Sequence, residues 1–90
     1  MSWEEEASRI LRAEVVRRGL TYKQLSLQLQ RLGVFESERA IANKLSRGTF
    51  PFVFALQCCK VLGIKSLDVA VSDHIGPDGP LSITEREVPQ

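Results

Sequence analysis

Apolar positions along this chain of 90 residues recur at spacings of three and four and are interrupted by glycines, a rhythm that predicts a succession of short amphipathic α-helices. Trp3, Ala7, Ile10, Leu11, Glu14 and Val15 fall on one side of a first helix that Gly19 closes. Thr21 opens a second. In the pattern Thr21-x-x-Gln24 the hydroxyl accepts from the amide of Gln24 while the Gln24 side chain reaches back, a capping box, and Leu25, Leu29 and Leu32 form the inward stripe up to Gly33. A third helix is predicted from the N-cap Ser37 to about Arg47, with Gly48 as its stop. A fourth is predicted from the cap Thr49, with Pro51 in its first turn and Val53, Phe54, Leu56, Val61 and Leu62 as its apolar content before Gly63. Ser66 to Val71 is predicted as a short fifth helix.

Beyond Ser72 the rhythm ends. Gly76-Pro77-Asp78-Gly79-Pro80 is dense in turn formers, so the chain divides into one helical domain over residues 1–71 and a C-terminal tail or arm over 72–90. The fold class expected is all-α, a five-helix bundle with an extended tail. No apolar run approaches the roughly 20 residues of a membrane span, and Met1-Ser2-Trp3-Glu4-Glu5-Glu6 is acidic where a signal peptide is basic. A soluble, cytoplasmic protein with no membrane partner is the expectation.

The net charge of +1 hides a strong segregation. Residues 9–65 hold eleven Lys and Arg against three acids, a local charge of +8, while residues 1–8 carry −3 and residues 66–90 carry −4. A basic body between acidic ends suits a polyanion-binding module, because affinity for phosphates grows with the number of cations brought to them. A solvated helical surface explains the same charges without a partner.

The order Leu20-Thr21-Tyr22-Lys23-Gln24-Leu25, Asn43-Lys44-Leu45-Ser46-Arg47-Gly48, Val61-Leu62-Gly63-Ile64 resembles the helix-turn-helix of the lambda-repressor-like (Xre/Cro) DNA-binding proteins over roughly residues 7–70. The best matches are Arg18-Gly19-Leu20-Thr21 with Gln24-Leu25, Ser46-Arg47-Gly48, and Leu62-Gly63-Ile64 followed by Ser66-Leu67-Asp68. The chain is also similar to a group of small uncharacterised bacterial proteins sharing the Asn43 to Phe50 type of segment. The resemblance implies a DNA-binding transcriptional regulator of the repressor type that reads the major groove with its third helix. Two departures stand out. Leu25 to Gly48 is several residues longer than the family's usual version, which alters the projection of the third helix. Where the family commonly has Gln at the second position of its second helix, this chain has Tyr22, whose hydroxyl cannot make an amide's bidentate contact.

At about 100° per residue, Ile41 and Leu45 lie within about 40° of each other, with Arg39 and Asn43 nearly opposite and Ala40 and Arg47 alongside. On that outward face Arg39 can place two donors on guanine and Asn43 can pair with adenine, each worth roughly 1–3 kcal/mol of discrimination; Ala40 permits close approach and can meet a thymine methyl. Lys44 and Arg47 are the candidates for phosphate contact. So are Thr21, Tyr22 and Lys23 at the amide-bearing start of the second helix, joined by Arg17 and Arg18. Ordinary solvent exposure remains open for these residues, as does an Arg39–Glu36 pair worth only tenths of a kcal/mol. Glu38, near the same face, opposes close phosphate approach.

No enzyme is expected. Cys58 and Cys59 point about 100° apart on a helix and, without a nearby histidine, make no zinc site; His74 stands alone in the tail, and no cofactor or metal is implied. Phe35, Phe50, Phe52 and Phe54 crowd the links around the third and fourth helices. So small a bundle cannot bury them all, and Phe50, Phe52 and Phe54 are candidates for a homodimer surface. The expected partners are double-stranded DNA and a second copy of the chain. The rival is a protein-interaction module, such as an antitoxin or a mobile-element accessory factor, that turns the same fold toward a protein partner.

Overall fold

The computed structural model describes residues 2–70, which form four α-helices and no strand. They are α1 (Trp3–Arg17), α2 (Tyr22–Arg31), α3 (Glu38–Arg47) and α4 (Phe52–Leu62). Three of the four starts carry a side-chain cap. Ser2 and Glu5 form a capping box on α1, Thr21 and Gln24 form the expected one on α2, and the Ser37 hydroxyl accepts from the amide of Ala40 at 3.0 Å on α3.

The helix ends show why the chain turns where it does. After α1, α2 and α4 a glycine amide bonds three residues back, and the following apolar residue, Leu20, Val34 or Ile64, bonds five back and folds against the core. α3 ends differently. Gly48 donates a single bond to the carbonyl of Lys44 and has φ +72°, and its bare Cα lies against the backbone of Glu4, leaving no room for a Cβ.

α3 packs against α1 and α2, and α4 closes the bundle against α2 and, less extensively, α1. Leu11, Val15, Leu25, Leu29, Ile41, Leu45, Phe54, Ala55, Cys58 and Leu62 form one buried cluster. Two carboxylates are buried with it. Glu14 is held by Arg17 at 2.8 Å and by Arg18, whose Nε donates to the carbonyl of Leu62 at 2.9 Å and so ties the end of α1 to the end of α4. Glu6, 2% exposed, accepts from Arg9 at 2.8 Å, and the same guanidinium donates to the carbonyl of Ala70 at 3.1 Å. These bonds satisfy charges that would otherwise be costly to bury.

Several expectations need correction. The fifth helix over Ser66–Val71 is absent from the described part of that segment: residues 64–70 are irregular. So short a piece nucleates poorly, the Asp68 carboxylate takes the amide of Ala70 at 2.9 Å, and the Ala70 carbonyl goes to Arg9. Val71 and the tail over 72–90 lie outside the described residues. Thr49 does not cap α4. Pro51 bars the preceding residue from helical geometry, so the helix starts behind it and Pro51 is the N-cap, with no side-chain bond. Leu32 is not part of the inward stripe. It is 42% exposed because α2 stops at Arg31, and Val34 folds inward in its place. Trp3, Val53 and Leu56 are likewise exposed.

Candidate nucleic-acid interface

The inward half of α3 is as expected: Ile41 and Leu45 are completely buried. Arg39 and Asn43 are exposed, Ala40 is half-buried, and neither Arg39 nor Asn43 has a side-chain hydrogen bond or ion pair among the described residues. The open Arg39–Glu36 alternative is not what forms. Glu36 instead faces Lys44 at 3.8 Å, and the Lys44 ammonium also lies 5.5 Å from the centre of the Phe54 ring. Lys44 is thus held against its own domain, whereas Arg47, one turn on, is exposed and unpaired among the described residues.

At the start of α2, Thr21 is committed to its capping box: its hydroxyl accepts from the Gln24 amide at 3.1 Å and its own amide donates to Gln24 Oε1 at 2.8 Å. The amides of Tyr22 and Lys23 at that helix start have no intrahelical acceptor. Tyr22 is half-buried against the core and Lys23 is exposed. Arg17 and Arg18 each pair with the buried Glu14, Arg17 with its side chain still largely exposed. The pairing of Lys44 with Glu36 leaves Lys23, Arg31, Arg39 and Arg47 as the exposed, unpaired cations of α2 and α3. Arg31 was not singled out from sequence; its signal was its place in the last turn of α2, beyond reach of any acid there. Exposed Glu38 is the one acid of the pair left unpaired among the described residues.

The phenylalanines divide sharply. Phe54 is 3% exposed and belongs to the core, its ring 5.8 Å from that of Phe50, so it cannot form a dimer surface. Phe50 is half-buried against the same core. Phe52 is 72% exposed and borders a groove of about 330 Å³ with Ala55, Leu56, Cys59, Ile64, Lys65, Leu67 and Val69. Periodicity could not separate these rings, because α4 is apolar on more than one face.

Cys58 is buried and Cys59 half-buried, both as free thiols. Burial, reinforced by Cys59 and Glu36, pushes the Cys58 thiol up to about 12; burial also raises Cys59, with Glu14 adding to the rise and Arg18 opposing it. Cys58 therefore stays neutral in the fold after an unfolded thiol has ionised. Its stabilising share is full below the unfolded value near 9.0 and declines as pH rises from there toward about 12. Alkylation of the native protein by iodoacetamide at pH 8, followed by peptide mass mapping, should label Cys59 well before Cys58; equal rates would contradict this burial. Among the described residues no three His, Cys, Asp or Glu side chains group as a metal site, and no helix is long and apolar enough to cross a membrane.

A small all-helical domain with an unpaired polar face on its third helix is the class these features define. The chain belongs to the family described as Domain of unknown function (DUF6471), whose profile matches residues 3–67. No curated protein and no solved structure matches the chain.

Proposed function

We propose that this protein is a sequence-specific regulator of transcription, of the repressor type, that binds double-stranded DNA through a lambda-repressor-like helix-turn-helix made by α2 and α3. The observation that carries the proposal is the division of α3 into a sealed face of Ile41 and Leu45 and an outward face where Arg39 and Asn43 have no internal partner. Arg39, Ala40 and Asn43 read base edges, and Lys23, Arg31, Arg47 and the free amides at the start of α2 grip phosphates. A homodimer built on the exposed Phe52, Val53 and Leu56 of α4 places two such helices on a roughly palindromic site.

Binding sites selected from random duplex DNA test this directly. The full chain should enrich a site, and log affinity should fall against log salt with a slope of about −0.9 for each phosphate contacted. Arg39→Ala and Asn43→Ala should each lower affinity for that site by roughly 5- to 150-fold while leaving the melting temperature nearly unchanged. Variants that bind the selected site as well as the wild type would end the assignment. The same apolar groove beside Phe52 favours the second reading, a protein-interaction module in the manner of an antitoxin, which a salt-insensitive protein complex without duplex binding would support.

A further inference from the structure

The link between α2 and α3 presents Phe35, 78% exposed, two residues ahead of the cap Ser37. Such exposure is unusual for a phenylalanine, and here both of its neighbours are tied down. On one side Val34 packs on the core and its amide donates to the carbonyl of Leu29 at 2.9 Å. On the other, the carbonyl of Glu36 accepts from the Ser26 hydroxyl at 2.6 Å, while the Glu36 carboxylate faces Lys44 at 3.8 Å. The ring is thus held outward by a fixed backbone, beside an open cavity of about 290 Å³ whose other walls include Ser26, Gln30 and Ser37.

We propose that Phe35 is a specificity-determining residue that meets the 5-methyl group of a thymine in the major groove, a role that rests on the DNA-binding function proposed above. The N-terminal end of a recognition helix is the part that reaches base edges, and Phe35 lies in the link three residues ahead of that end of α3. A phenylalanine ring meets a base edge through a thymine methyl, which projects into the major groove. Of the exposed, unpaired charges that flank the ring, two are cations, Arg31 before the link and Arg39 after it, against the one acid Glu38, a balance that suits nucleic acid better than an apolar protein surface.

The experiment uses the full chain and a duplex site selected with the wild-type protein, in which each thymine is replaced in turn by uracil to delete one methyl group. One uracil position should weaken wild-type binding severalfold. Phe35→Ala should bind the unmodified site about tenfold more weakly, lose its sensitivity at that position only, and keep the wild-type salt slope and melting temperature; Phe35→Leu should retain part of the sensitivity. A Phe35→Ala uracil profile identical to that of the wild type would overturn the assignment while leaving the DNA-binding function standing. A wild-type chain that enriches no duplex site would overturn both.

Discussion

Gly48→Ala is expected to be among the most damaging single substitutions in the domain. Two effects add there. A left-handed φ of +72° costs an L-residue about 1–2 kcal/mol, and the new Cβ would collide with the carbonyl of Glu4 in the first turn of α1. Overpacking of that kind costs a further 1–3 kcal/mol or so, at the upper end here because the obstacle is helical backbone that no rotamer change can move. The sum, about 2–5 kcal/mol, lowers the melting temperature of a domain this size by roughly 10–40 °C. Gly63→Ala supplies the control. Its φ of +73° is nearly the same, yet a Cβ there meets nothing within 4 Å, so only the conformational cost of about 1–2 kcal/mol applies. Thermal melts followed by circular dichroism distinguish the two, and equal losses would mean that α1 does not close on the end of α3 as described.

That contact also illustrates what a sequence can and cannot disclose. Ser46-Arg47-Gly48 announces a helix stop, which is local chemistry, and the Thr21–Gln24 box and the Ser37 cap are legible for the same reason: each bond joins residues three apart. Ser2-x-x-Glu5 carries the same signal on α1. That Gly48 must also admit Glu4 depends on a partner 44 residues away, and no spacing reveals it. The burial of Glu6 and Glu14 was hidden likewise. Their positions fit the inward side of α1, but the carboxylates are accommodated there by arginines that turn back onto them, Arg9 onto Glu6 and Arg17 and Arg18 onto Glu14, and Arg18 does so while bonding Leu62. Pro51 and Asp68, by contrast, held enough information to forbid a helix start at Thr49 and to weaken the segment after Gly63; cap preference and apolar content outweighed them in the periodicity.

For the interface, the sequence located the outward face of α3 but not which of its cations remain available. Arg17, Arg18 and Lys44 look like Arg39 and Arg47 in a list of charges. The structure separates them by neighbours: a buried Glu14 takes the first two, and Glu36 with the Phe54 ring takes the third. For the DNA-binding function proposed above, phosphate contacts would then come from fewer side chains than the local charge of +8 suggests, and a correspondingly modest salt slope is expected.

Leu45→Ala is expected to cost about 2–5 kcal/mol and to drop the melting temperature by more than 10 °C, the usual penalty for emptying a sealed leucine site. Leu45 is 0% exposed and shares its cluster with Ile41, Leu25, Leu29 and Val15, so the loss falls on the contacts of α3 with both α1 and α2. Asn43→Ala, two residues earlier and exposed, should shift the melt by a few degrees at most, because it removes no buried contact and replaces a mediocre helix former with the best one. The pair of measurements orients the helix. A tolerant Leu45 together with a sensitive Asn43 would mean that α3 is rotated about its axis, and Arg39 and Asn43 would then belong to the interior, with nothing left on that helix to enter a groove.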